Sequence, residues 1–306
     1  MQTPKAKAHE EARAETPLKE KGQNPRGQKA QGERRKGKGQ EETQEKRPHP
    51  FNIRGRRRVF RKFALEIWEN EPVRLGVLSD IHANLPALEA ALEALRDEGV
   101  DEVLVLGDLV GYGPHPKQVI RRLLKEGLPA IAGAWDLRVA YPLPGTLPEG
   151  VGKATLEWTR SQLSEKELNY LRFLRLSHRK TYEGKRLVAF HGTPGNPESH
   201  LDLLGPANQL VPLLERYSAA VLLLGGRHLP LSRRVGMGLV ADPGSVGLSL
   251  SGEPGADAMI LDTETLEVRF LKVPYDLGPL IFDLRAWGLP PVLERVYRTG
   301  RFPKED

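Results

Sequence analysis

From Val73 onward, short apolar runs of strand length alternate with segments of helical spacing, and a side chain able to bind a cation follows run after run. That combination restricts the chain to a sheet whose strand ends carry its chemistry. The first instance is Leu75-Gly76-Val77-Leu78-Ser79, followed by Asp80-Ile81-His82. A carboxylate and an imidazole two residues apart in an extended segment project to the same side. An oxygen and a nitrogen ligand held in this way begin a metal site. The plainer alternative is a helix cap, with Asp80 or Asn84 starting the helix at Leu85.

The pattern predicts strands over 73–78, 102–106 and 129–132, with helices beginning at Leu85 and running from Pro116 to about Glu126. Leu85, Leu88, Ala91, Leu92 and Leu95 recur at helical spacing. Two helices follow, near 154–162 and 165–174. A hairpin over 179–185 turns at Gly184 into a strand over 186–190. A helix is expected over 206–217 and a buried strand over 219–224. Antiparallel strands follow over 231–235, 238–241, 256–262 and 266–273, then closing helices over 277–287 and 291–296. Parallel and antiparallel pairing with helices outside predicts an α/β chain with two sheets packed face to face.

Five strand ends carry residues with ligand chemistry. Asp80 and His82 follow the first, and Gly107-Asp108 the second. Gly133-Ala134-Trp135-Asp136 follows the third, His191-Gly192 ends Val188-Ala189-Phe190, and Gly225-Gly226-Arg227-His228 follows Val221–Leu224. A lone Asp after Gly is often a turn, and a lone His is often a satisfied polar residue. The recurrence after separate strands points to metal binding. Other motifs fail: Pro243 breaks a nucleophile elbow at Gly244-Ser245-Val246-Gly247, and no phosphate-binding loop or dinucleotide fingerprint is present.

These strings resemble the calcineurin-like metallophosphoesterases, in particular their small bacterial phosphodiesterase-like branch. That pattern is Asp-x-His, Gly-Asp, Gly-Asn-His-Asp, His and Gly-His-x-His. The likeness extends over 73–300 and includes the segments 80–89, 107–116, 242–247 and 273–276. It implies a four-layer α/β/β/α sandwich of two mixed sheets, with one domain over 63–306, its core over 73–273 and closing helices over 277–298. It also implies metal-assisted hydrolysis of a phosphoester by two divalent ions about 4 Å apart, which share an aspartate and activate water for in-line attack.

Carried over by position, the resemblance gives the first metal Asp80, His82, Asp108 and His228. It gives the second metal Asp108 and His191, together with positions that hold Ala134 and Gly226 here instead of Asn and His. The neighbouring His, which contacts phosphate in the family, is Trp135. One divalent site (Mn, Fe, Ni or Zn) is therefore expected, with the second weak or absent. An indole cannot carry a proton or a positive charge, so activity is expected to be impaired. Arg227 or Arg138 either compensates with a guanidinium or is simply solvated. Trp135 either stacks a flat ligand such as a nucleobase or fills a collapsed site by packing.

Composition divides the 306 residues into two parts. Residues 1–62 hold 19 Lys/Arg against 8 Asp/Glu, and the remainder holds 27 against 32. With so few apolar side chains, the first part is expected to be a disordered basic tail. Residues Phe60, Phe63, Leu65, Ile67 and Trp68 are expected to form an apolar segment that docks on the body. The tail reads as an arm for nucleic acid or another polyanion, or else as a solvated extension or a start codon placed too early. The absence of cysteine excludes disulfides and thiolate chemistry, and fits an intracellular, cytoplasmic protein. No apolar run is long enough to span a bilayer, and no secretory signal is evident. The body, rich in Pro, Arg, Glu and Leu, leans thermophilic. Two functions fit: an impaired metal-dependent phosphoesterase acting on a phosphodiester or phosphomonoester, or an inactive pseudoenzyme serving as a binding or scaffold module.

Overall fold

The structure, a computed structural model, describes residues 72–141 and 148–303. The expected tail over 1–62 and the apolar segment around 60–68 lie outside the described residues, as do the outer limits of the expected 63–306 domain. The first half runs β1 (Arg74–Leu78), α1 (Leu85–Asp97), β2 (Glu102–Val105), α2 (Pro116–Glu126), α3 (Ala134–Ala140), α4 (Gly150–Gln162) and α5 (Glu165–Arg172). The second half runs β3 (Ser177–Tyr182), β4 (Lys185–Phe190), α6 (Val211–Tyr217), β5 (Val221–Leu223), β6 (Pro230–Val235) and β7 (Gly238–Pro243). It ends with β8 (Ala256–Asp262), β9 (Val268–Val273), α7 (Leu277–Ala286) and α8 (Val292–Thr299).

These strands form two mixed sheets, ordered β2-β1-β8-β9 and β3-β4-β5-β7-β6. β1 pairs parallel with β2 and antiparallel with β8, while β5 pairs parallel with both β4 and β7. Period-two alternation decides the layering. Leu75 and Val77 of β1, with Met259 and Leu261 of β8, meet Leu187, Ala189, Val221, Leu223, Leu239 and Ala241 of the other sheet. Leu78, Ala258 and Ile260 face the opposite way, onto Leu88, Leu92 and Leu95 of α1 and Ile120 and Leu123 of α2. Val188, Leu222 and Val240 on the outer face of the second sheet pack against Leu210 and Leu214 at α6. The result is helix, sheet, sheet, helix, the four-layer sandwich that the sequence predicts.

Two expected elements differ. Residues 129–132 make only isolated bridges, Ala130 to Val105 and Ile131 to Arg175. The segment bonds to two different neighbours in succession and turns into α3 directly after Gly133, so no ladder extends. The expected 206–217 helix is broken into a short 3₁₀ turn at Ala207–Gln209 and then α6. Pro212 lies in the first turn of α6, where its missing N–H is tolerated, and it cannot carry one helix through from the preceding turn.

Of the two cap candidates, Asn84 is the cap. Its Oδ1 accepts from Ala87 N–H at 3.2 Å, and its Nδ2 donates to Gly247 O and Tyr275 Oη, each at 2.9 Å. One buried amide thereby ties the start of α1 to the β7–β8 loop and to the segment after β9. Asn84→Ala removes all three bonds from a fully buried position and should lower unfolding stability by about 2 kcal/mol. An unchanged urea midpoint would show that the amide does not hold these loops together.

Candidate metal centre

Asp80 and His82 do not lie in the extended segment that the sequence predicts. β1 ends at Leu78, and Asp80, His82 and Ala83 have φ values of 54°, 45° and 53°. Their common direction comes from a wound loop, which backbone bonds to the neighbouring strand-end loop hold in place. Asp80 N donates to Gly107 O (3.0 Å), His82 N to Asp108 O (2.9 Å) and Ala83 N to Leu109 O (2.9 Å). From the other side, Val246 N and Gly247 N donate to the carbonyls of Ser79 and Asp80, each at 2.9 Å. Asp108 and His228 are also left-handed, at φ 52° and 59°. Such conformations cost on the order of 1 kcal/mol each for ordinary residues, and here the strain is concentrated on the candidate ligands.

The imidazoles are oriented by backbone carbonyls. His191 Nδ1 faces Leu106 O at 2.7 Å, His228 Nδ1 faces Leu248 O at 2.7 Å, and His82 Nδ1 faces Val110 O at 3.3 Å. A carbonyl can only accept, so Nδ1 carries the proton in each ring and the Nε2 lone pair points inward. The Nε2 atoms of His82 and His228 lie 3.2 Å apart. Asp80 Oδ1 lies 3.2 Å from His228 Nε2, 3.8 Å from His82 Nε2 and 4.0 Å from His191 Nε2. Asp108 Oδ2 lies 3.4 Å from His191 Nε2 and 3.8 Å from His82 Nε2.

The remaining carboxylate oxygens serve to position the pair. Asp80 Oδ2 accepts from Gly226 N–H at 2.9 Å, and Asp108 Oδ1 accepts from Trp135 N–H at 2.7 Å. Gly133 must be glycine, because a β-carbon there would stand 2.1 Å from Asp108 Oδ1. Asp80 Oδ1 is buried without a hydrogen-bond partner. An unpaired carboxylate oxygen beside convergent nitrogen lone pairs fits a divalent cation. Two groups have the required proximity, Asp80/His82/His228 and Asp80/Asp108/His191.

Without a cation the cluster balances its charge with protons. Burial opposes ionisation of Asp80, yet His228, His191 and His82 hold it well below the usual carboxylate range. Burial likewise opposes charge on His191, but Asp108 and Asp80 overcome it and raise the ring to about 10. His228 is raised in the same way by Asp80 against the effect of burial. His82, dominated by burial, falls to about 4.

Comparison with known proteins gives the family. Residues 73–266 match the calcineurin-like phosphoesterase superfamily domain. The chain belongs to this superfamily. It is 29% identical over 209 residues to phosphodiesterase YfcE of Escherichia coli K12, a match covering 64% of this chain and 91% of that one. It is 25% identical over 242 residues to the uncharacterized protein MJ0912 of Methanocaldococcus jannaschii, covering 74% and 98%. Hypothetical protein PH1004 of Pyrococcus horikoshii OT3 superposes with a TM-score of 0.68 at 27% identity, covering 76% of this chain and all of that one. A metallophosphoesterase from Sphaerobacter thermophilus gives 0.62 at 27%, covering 75% and 100%. Members of this calcineurin-like family are metal-dependent.

Against the superfamily pattern, the structure places the departures side by side. Ala134, Trp135 and Gly226 line one small cleft with Asp108, His191 and Arg138. Trp135 is packed: its ring sits 4.3 Å from Tyr112, at a 53° tilt, and covers Gly111. It also borders a second cleft, of about 430 Å3, with Tyr112, Arg227, Leu248, Leu250 and Phe302. Arg227 donates to Leu201 O, and Arg138 pairs with Glu198 at 3.0 Å, so both guanidiniums are engaged with the loop before α6.

Three residues were given no individual role by the sequence. Asp136 accepts from the N–H groups of Leu109, Val110 and Gly133 at 2.9–3.3 Å, clamping the second and third strand-end loops together. Burial and the Asp108 charge push it up to about 8. Its signal was its place in the Gly-Asn-His-Asp string. Asp242 lies buried at the end of β7, pushed up to about 8 by burial and by Asp80. His200, exposed on a loop, carries no motif at all.

Two measurements check the centre. Adding Mn2+ to chelated protein should raise Tm, and Asp80→Asn should abolish the rise; an equal rise in the variant would remove Asp80 from the site. Because His191 holds a proton in the cation-free state, a metal must displace it. Affinity should therefore rise with pH toward about 10, and uptake at neutral pH should release protons. Binding heats that are identical in buffers of different ionisation enthalpy would contradict this.

Proposed function

We infer that the chain is a metal-dependent phosphoesterase, acting on phosphodiesters or phosphomonoesters with one tightly held divalent ion and a weaker second. The carrying observation is the convergence of the His82 and His228 Nε2 atoms on the unpaired Asp80 Oδ1, with Asp108 Oδ2 beside them. Asp80, His82, His228 and Asp108 would hold the first ion, and Asp108 with His191 the second. Mn, Fe, Ni or Zn suits such a mixed oxygen and nitrogen set. When bound, the ion supplies Lewis acidity toward a phosphoryl oxygen and lowers the pKa of water.

The chain's own residues do the rest. The N–H groups of Trp135 and Gly226 aim the two carboxylates. Trp135 stands edge-on to His82, with ring centroids 6.2 Å apart. It offers no acid to a leaving group, so turnover should run about a hundredfold below that of an enzyme with a histidine there. The phosphodiesterase name carried by YfcE supports diesters as the first class to try.

Hydrolysis of bis-p-nitrophenyl phosphate with Mn2+, Ni2+ or Fe2+ should exceed that of an Asp108→Ala control. Trp135→His should raise kcat at least tenfold, with a thermal melt to verify that the variant is folded. No turnover above the control with any of these ions would favour the second reading, an inactive binding or scaffold module. That reading draws on the joint change at Ala134, Trp135 and Gly226.

The basic segment over 1–62 supports an arm for nucleic acid through charge alone, 19 cations against 8 anions. A chain starting near Glu71 should then bind DNA more weakly and with a shallower salt slope than the full chain; equal slopes would end this idea. Among the described residues no helix is long and apolar enough to cross a membrane, and a cytoplasmic location accords with the lack of cysteine.

A further inference from the structure

Gly226 stands where the superfamily pattern has a ligating imidazole, and the space left by its missing side chain is filled from elsewhere. A β-carbon built on Gly226 would lie 2.9 Å from His200 Cε1, 3.3 Å from His200 Nδ1 and 3.1 Å from His191 Nε2. The His200 ring therefore crowds the point where a residue-226 side chain would begin. It adjoins the His191 imidazole and lines the same cleft as Asp108.

The loop that carries His200 is fastened. Thr193 and Asn196 exchange backbone hydrogen bonds at 3.0 Å, Asn196 Nδ2 donates to Ser199 Oγ at 2.7 Å, and Glu198 N donates to Asn196 Oδ1 at 3.0 Å. On one side of His200, Glu198 pairs with Arg138 at 3.0 Å. On the other, Leu201 O accepts from Arg227. The two arginines next to the altered positions thus anchor the loop that bears the imidazole. Among the described residues, nothing hydrogen-bonds the His200 ring. His200 is exposed while it lines this cleft.

We propose that His200 is a ligand of the second divalent-cation position, joining Asp108 and His191 and standing in for the side chain absent at Gly226. A carboxylate and two imidazoles make a set suited to Mn2+, Fe2+ or Zn2+. This rests on the metal-dependent reading above and concerns a position that the sequence pattern marks as depleted.

The test is Mn2+ titration by calorimetry, with electron paramagnetic resonance on the loaded full chain. Wild type should take up two ions and show the signal of an exchange-coupled pair. His200→Ala and His200→Asn should keep the first ion with unchanged affinity, weaken the second at least tenfold and lose the coupled signal. His178→Ala, on β3, should behave as wild type. Two ions of unchanged affinity in both His200 variants would overturn the His200 assignment alone. A single ion in wild type would overturn it too, because there would be no second position to complete. No ion at all would overturn it together with the metal-dependent reading.

Discussion

Two imidazole Nε2 atoms 3.2 Å apart, each with its proton committed to the far side of its ring, repel unless positive charge lies between them. Much of the architecture serves to impose that approach. Carbonyls of Val110 and Leu248 hold the rings; bonds from Asp80, His82 and Ala83 to Gly107, Asp108 and Leu109 hold the first carbonyl's segment, and bonds from Val246 and Gly247 to Ser79 and Asp80 hold the second's. The sheets beneath supply the rigidity, because every strand delivering a ligand has its apolar side chains buried against another layer. A cation would relieve the repulsion, and without it the proton on His191 balances part of the carboxylate charge.

Asp136 and Asp242 give that arrangement a particular electrostatic character. Both are buried carboxyls pushed up to about 8 by burial, and each feels the charge of a nearby candidate ligand, Asp108 or Asp80. At neutral pH they are predominantly protonated and add little negative charge to the centre. The anionic character is confined to Asp80 and Asp108, which face the imidazoles directly.

The two packed sheets with helices outside were legible because the strands are short, apolar and bounded by Gly and Pro, and because α1 and α2 keep strict helical spacing; the four-layer order came from the family resemblance. Asp80, His82, Asp108, His191 and His228 were legible because each closes such a strand. The inward direction of Asp80 and His82 was derived from the wrong backbone: period two holds only inside a ladder, and both residues lie beyond it at positive φ. Residues 129–132 looked like a strand because burial produces the same apolar run with or without a continuous partner. His200 was invisible, since a loop residue reaches the site through chain reversal at Thr193–Asn196 and not through any periodicity. Arg227 was noticed for its charge, while its use, fastening that loop, depends on a carbonyl that no pattern announces.

The cap residue Asn84 touches Gly247 and Tyr275, residues 163 and 191 positions further along the chain. The candidate ligands are similarly dispersed, with His82 and His228 separated by 146 positions. Closing contacts of that span demands a large loss of chain entropy before any reward. A cation therefore has no site to bind in the early, collapsed chain and cannot template folding in the manner of a zinc finger. The scaffold reaches its strained loops through long-range hydrophobic burial, and a cation would find its site only after those contacts have closed.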